Sequence, residues 1–279
     1  MKKKSIWTEV ILISLFLLTG GCQKEDYTLP VDFRMNFSVS ETPVMQGALT
    51  IDNITLSLKS IDIHGYRETG GDVFLTRDFN SGNKIEISPS SSGKTIQFDI
   101  PQGVYNPIMF SLVYQPDGNE IDLIDDIEEW YEEFEEEDDD DDDDDDDDLD
   151  ELQEELGEII EDYLENIEPC IMVKAKFVNN STTKYVILAV NDPLTFKIIS
   201  KNINGQAEVI LDRNNINNGN LIFDPSYWFS IITPKILNDA FIGVIDGKKY
   251  IFLNKYVNSK IYNSIFNRME ESTSLIINE

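Results

Sequence analysis

The residues richest in potential chemistry stand in one block. Asp138, Asp139, Asp140, Asp141, Asp142, Asp143, Asp144, Asp145, Asp146, Asp147 and Asp148 form an unbroken run of hard oxygen donors, and calcium prefers carboxylate oxygens and tolerates irregular geometry. Extended residues advance about 3.3 Å each, well inside a Debye length of about 8 Å at physiological ionic strength, so these charges repel and counterions concentrate on them. No Asp-x-Asp-x-Asp-Gly loop with a glutamate at its twelfth position is present, so the calcium expected here is weakly held and spread over many sites. A solvated acidic loop that repels other surfaces is the plain alternative. No other cofactor is expected.

The remaining candidates are single residues. His64 is the sole histidine and Cys22 and Cys170 the only cysteines. Histidine-dependent catalytic arrangements and multi-histidine metal sites therefore lack their members within one chain. Cysteine-based metal sites and disulfide frameworks do too. Acids are plentiful, yet no motif places a carboxylate pair for glycoside hydrolysis, and a non-enzymatic protein is expected. Tyr227 and Trp228, followed by Phe229, offer aromatic faces of the kind that suit the apolar side of a sugar ring, which makes them a candidate glycan platform. Trp130 reads as an anchor packed within the acidic region.

The amino terminus reads as an address. Lys2, Lys3 and Lys4 precede a nine-residue run, Val10 to Leu18, that is apolar but for Ser14, too short for the roughly 20 residues of a membrane span and suited to a signal peptide. Thr19-Gly20-Gly21-Cys22 then resembles a lipobox, which implies cleavage before Cys22 and lipid on its thiol. Thr19 stands where leucine is commonest. Gln23-Lys24-Glu25-Asp26 is similar to the acidic export signal of Bacteroidota surface lipoproteins. The expectation is residues 1–21 as leader, 22–30 as lipidated cysteine and tether, and anchorage facing outward from a bacterial outer membrane.

The net charge of −31 misleads as an average. Between Glu120 and Glu168 stand 31 acids and no Lys or Arg, and the rest of the chain holds 22 of each sign. A basic nucleic-acid surface is unavailable to so balanced a domain. The partners expected are a cation, a basic protein or a glycan, and the sequence leaves the oligomeric state open.

Alternating apolar residues position these groups. Val31, Phe33, Met35, Phe37 and Val39 keep the two-residue period of a half-buried strand. Leu49 to Ile63 continues it with breaks at Asn53 and Ser60 that predict bulges. Short strands follow at 73–76, 84–87 and 95–100, with Ser81-Gly82-Asn83 as a turn, and 108–114 comes after Pro101-Gln102-Gly103-Val104-Tyr105. That sequence predicts a corner tied by the tyrosine hydroxyl. After the acidic segment, 171–177 and 185–190 read as a hairpin, 195–200 and 207–211 as further strands, and Asp246-Gly247 as a second hairpin turn. Asp224-Pro225 and Asn258 read as helix starts.

Within the acidic segment, Ile124, Ile127, Tyr131 and Phe134 on one side repeat at helical spacing. On the other side Leu149, Leu152, Leu156, Ile159, Ile160, Tyr163, Leu164 and Ile167 do the same. Together they predict a helical hairpin with the aspartates at its tip, its stripes packed on each other or on the β domain. With no βαβ rhythm, the expected fold is mainly β. It is an antiparallel β-sandwich over 31–279, interrupted at 120–168 by the acidic hairpin and carrying a short C-terminal helical region.

Ile54 to Gly65, the Pro101 to Tyr105 corner, Phe223 to Phe229 and Asn258 to Tyr262 together resemble a group of Bacteroidota surface lipoproteins. These are similar in layout to transthyretin-like, or prealbumin-like, sandwiches. The resemblance implies a sandwich fold and assigns no activity.

Overall fold

The structure, a computed structural model, describes residues 29–90, 93–116, 127, 130 and 146–278. Its strands are β1 (Pro30–Val39), β2 (Leu49–Arg67), β3 (Val73–Ile87), β4 (Thr95–Pro101), β5 (Gly103–Tyr114), β6 (Ile171–Asn179) and β7 (Thr182–Val190). They continue with β8 (Leu194–Ile199), β9 (Lys201–Asn202), β10 (Val209–Leu211), β11 (Asn217–Phe223), β12 (Gly243–Ile245), β13 (Lys248–Leu253) and β14 (Ser274–Asn278). Among the described residues they are joined by the helices α1 (Asp146–Asn166), α2 (Pro225–Trp228), α3 (Pro234–Asn238) and α4 (Ser259–Ser272).

The fold is mainly β and sandwich-like. One sheet has the order β4-β1-β11-β14-β9; the other runs β10-β5-β2-β6-β7-β13-β12, with β3 on β2 and β8 on β5. Alternation along β1 buries Val31, Phe33, Met35, Phe37 and Val39. Phe33 stacks on Phe110 of the facing sheet at 5.7 Å and tilts against Phe98 of its own at 5.4 Å, so the inner faces interdigitate as packed sheets do. The sheets are mixed where antiparallel ones were expected. β1 with β11, β7 with β13, and β14 with β9 are parallel pairs. Alternation reports which face is buried and is blind to strand direction.

β2 is the spine of the larger sheet. Its register shifts at Ile51/Asn53 and at Leu58/Ser60, the two predicted breaks, and each shift re-aims the strand. β3 runs from 73 to 87 as one strand, but its pairing with β2 is interrupted: Ser60 lies opposite Asp78 and Leu58 opposite Asn83, so 79–82 are passed over between them. The full turn expected at Ser81-Gly82-Asn83 between two strands is replaced by an irregularity in the ladder, a step of five residues on β3 against two on β2, the kind of bulge that leaves extra residues unpaired and bends the strand. The Tyr105 hydroxyl donates to the Pro101 carbonyl, the predicted corner bond. Asp246 and Gly247 both have positive φ (51° and 70°), as a two-residue hairpin turn of the I′ type requires.

At the carboxyl end the Asp224 side chain caps α2 by accepting from the Ser226 N–H. Asn258 precedes α4 with a left-handed φ of 53° and makes no side-chain cap. Its amide instead accepts from Phe241 N–H and donates to the Phe241 and Phe252 carbonyls. It ties the start of α4 to β13 and the approach to β12, which corrects the capping role expected of it.

Candidate functional site: the neck and buttress of the acidic segment

The chain leaves and re-enters the larger sheet at one residue. Tyr114, the last residue of β5, lies opposite Leu58, and Ile171, the first of β6, lies opposite Leu56. Between them, Ser57 donates its N–H to the Cys170 carbonyl at 2.9 Å and accepts from the Gln115 N–H at 3.1 Å. Both groups of one strand residue point to the same edge, so β5 and β6 continue each other along that edge of β2. Residues 116–169 form an excursion from this line. The buried Ser57 hydroxyl donates to the Pro169 carbonyl at 3.0 Å and closes the neck further.

α1 returns the chain to that neck. Leu152, Leu156, Ile160 and Tyr163 sit at helical spacing and are buried, as is Ile167 just beyond the helix end. They pack with Met172, Ile187, Ala189 and Phe252, which project from the outer face of β6, β7 and β13. The stripe therefore lies on the sandwich. Its closest approach is glycine against glycine. A Cβ on Gly157 would fall 2.7 Å from the Val244 carbonyl carbon and closer still to its oxygen; one on Gly243 would meet the Gly157 nitrogen at 2.8 Å. Helix and strand backbones touch because neither residue has a side chain. Ile127 and Trp130 are helical and buried in the same cluster. The Trp130 indole N–H donates to the Leu152 carbonyl at 3.1 Å and meets the Phe241 ring edge-on, the anchor role its position predicts. At the far end the Tyr163 hydroxyl donates to Asn191 Oδ1, and Lys84 pairs with Glu168 at 2.6 Å.

This arrangement turns the charge outward. Asp150, Glu151, Glu154, Glu155, Glu158, Glu161, Asp162 and Glu165 are exposed on α1, and its last turn carries no basic residue. Of the aspartate run, Asp146, Asp147 and Asp148 open α1, where the macrodipole favours acids. Asp138 to Asp145, with the stripe residues Ile124, Tyr131 and Phe134, lie outside the described residues. So do Cys22 and the segment around it. Among the described residues no group of three or more His, Cys, Asp or Glu is placed to hold a metal ion, and no helix is long and apolar enough to cross a membrane.

The other candidates are dispersed. Trp228 is fully buried, its indole N–H donating to Ser272 Oγ at 2.6 Å and its ring edge-on to Phe223. Its face is unavailable to a sugar, which withdraws it from the glycan platform: the first turn of α2 directs it into the core. Tyr227 is exposed, but the Arg268 guanidinium lies over its ring at 5.3 Å and its hydroxyl donates to Glu271. Cys170 is sealed in the core, with Sγ 3.6 Å from the Asn191 carbonyl. His64 lies within β2 and is exposed beside Phe74.

Sequence reasoning missed Ser57, Gly157 and Gly243, the residues that fix the neck and seat the helix. Only Gly157 left a signal, as a helix-weakening residue inside an otherwise regular helical stripe. No protein-family model matches the chain, and no curated protein or solved structure matches it either.

Proposed function

We propose that the chain is a non-enzymatic surface lipoprotein, anchored through Cys22 to a bacterial outer membrane and facing outward. It acts as a binding or adhesion module that displays a block of carboxylates to divalent cations or a basic partner. The observation that carries this reading is the orientation of α1. Its apolar stripe is consumed by the sandwich, and its carboxylates are left in solvent.

Support comes from energetics as well as position. Like charges three and four residues apart on a helix cost about 0.2–0.5 kcal/mol per pair, and α1 carries several such pairs, among them Asp150 with Glu154, Glu154 with Glu158, and Glu161 with Glu165. A helix loaded this way is held by its packing, and a cation or basic surface that relieves the repulsion strengthens it. Calcium is the cation of choice because the donors are all carboxylate oxygens. Its binding is weak and multi-site, since no preformed cage is encoded.

The test is made on intact cells. Protease added outside should remove the protein, Cys22→Ala should release it from the membrane fraction, and capture from the surface should recover a partner in a calcium-dependent way. Protection from external protease, or unchanged membrane association of Cys22→Ala, defeats the anchored, outward-facing reading.

A further inference from the structure

The outer face of the larger sheet is covered at only one end. α1 lies over β6, β7, β13 and β12, while β3, β2, β5 and β8 carry no covering element among the described residues. On that open end the register aligns two cross-strand rows. Phe74, His64, Met109 and Ile199 lie opposite one another on β3, β2, β5 and β8, and Thr76, Asp62, Ser111 and Lys197 form the next row. With strands about 4.8 Å apart, each row is about 15 Å long.

The first row is unusually apolar for solvent. Phe74 is 64% exposed, Ile199 52% and the adjoining Tyr66 41%, and Phe74 meets His64 and Tyr66 edge-on at 5.1 and 6.5 Å. The herringbone presents ring edges and faces together, unlike the flat array that stacks a sugar chain, and it matches what interdigitates between packed sheets. The second row is polarised across the sheet. Asp62 stands toward β3, accepting from the Thr76 hydroxyl at 2.6 Å, and Lys197 is exposed on β8. Neither forms an ion pair among the described residues.

We propose that this face is the interface of a two-fold dimer of the chain, with the Phe74-His64-Met109-Ile199 row of one copy packed on that of the other. A two-fold axis in the plane of the contact and parallel to the strands sets β3 against β8 of the second copy and β2 against its β5. Phe74 then packs on Ile199, and Asp62 of each copy comes within reach of Lys197 of the other. The face is self-complementary in both shape and charge, as an isologous contact requires. Its size lies at the lower end for specific interfaces, so the dimer forms at micromolar concentrations and exchanges readily. The inference does not depend on the acidic segment or on lipidation.

Sedimentation equilibrium of the chain from Gln23 to Glu279, which holds every described residue, tests it. At about 100 micromolar protein the expected mass is twice that of one chain. Phe74→Asp, at an exposed site, should leave the circular-dichroism spectrum intact and give a monomer. Asp62→Lys should weaken the dimer about fivefold, and Asp62→Lys with Lys197→Asp should restore it. A wild-type monomer at that concentration, a dimer that survives Phe74→Asp, or no rescue in the double variant overturns the proposal. So does protection of Phe74 by an added polysaccharide in a chain that stays monomeric.

Discussion

Gly157→Ala isolates what seats the acidic segment. In an unpacked helix this change is favourable by about 1 kcal/mol, because glycine is the poorer helix former. In the docked helix the added methyl would stand 2.7 Å from the Val244 carbonyl carbon and nearer its oxygen. Both are backbone atoms of β12 that no rotamer change can move, so α1 must lift by about 1 Å. Leu152, Leu156, Ile160, Tyr163 and Ile167 are buried under it, each contributing about 1.5–3 kcal/mol. A lift of that size forfeits a quarter or more of the contact energy, roughly 2–4 kcal/mol. Net of the propensity gain, the variant should be about 1–3 kcal/mol less stable. Urea denaturation gives the free energy. Emission from Trp130, whose indole bonds to Leu152, should shift to the red before the sheet unfolds. A Gly157→Ala protein as stable as wild type, with unchanged emission, would refute the glycine crossing as the seat of the helix.

Three further outcomes follow from the packing. Tyr114→Phe removes a fully buried hydroxyl that has no partner among the described residues and should raise stability by about 1 kcal/mol in urea titration, the desolvation cost of an unmade bond. Burial pushes the Tyr105 and Tyr262 hydroxyls up to about 12, opposed at Tyr105 by Arg67 and reinforced at Tyr262 by Asp192. The folded chain therefore keeps protons that the unfolded chain, titrating near 10, has released. Their contribution is whole below pH 10 and is lost as pH rises toward 12, so the urea midpoint should be lower at pH 11.5 than at pH 9.5. Trp228→Ala should cost about 3–5 kcal/mol, the loss expected of a core aromatic. Tyr227→Ala should cost little, as a thermal melt of each will show.

What was legible in the sequence depended on the range of the physics that fixes it. Period-two burial over 31–39, the breaks at Asn53 and Ser60, the Tyr105 corner and the Asp246-Gly247 turn are local, and each stands in the structure as the residues predict. Strand direction was not legible, because alternation looks the same in parallel and antiparallel pairs. That 73–76 and 84–87 belong to one strand was hidden because the Ser81-Gly82-Asn83 residues sit at a break in the pairing with β2, which local sequence cannot tell from a full turn. For the candidate site, the α1 stripe was readable from its spacing, but its choice of partner surface was not. That choice lies in Gly157 against Gly243, residues 86 positions apart in sequence. Ser57 could not be singled out, since its role comes from where two distant strands end.

The expendable part of the excursion is also narrower than composition suggests. Removing 120–168 would take α1 away and uncover Met172, Ile187 and Phe252, so charge should be changed without cutting the chain. Replacing each aspartate from Asp138 to Asp148 by asparagine leaves the buried stripe in place. Equilibrium dialysis of calcium against the chain from Gln23 to Glu279 and against this variant measures how much cation the aspartate run holds. Several calcium ions should bind per chain at millimolar free calcium, with most of them lost in the variant. Equal uptake by the two proteins, or none by either, would contradict that expectation.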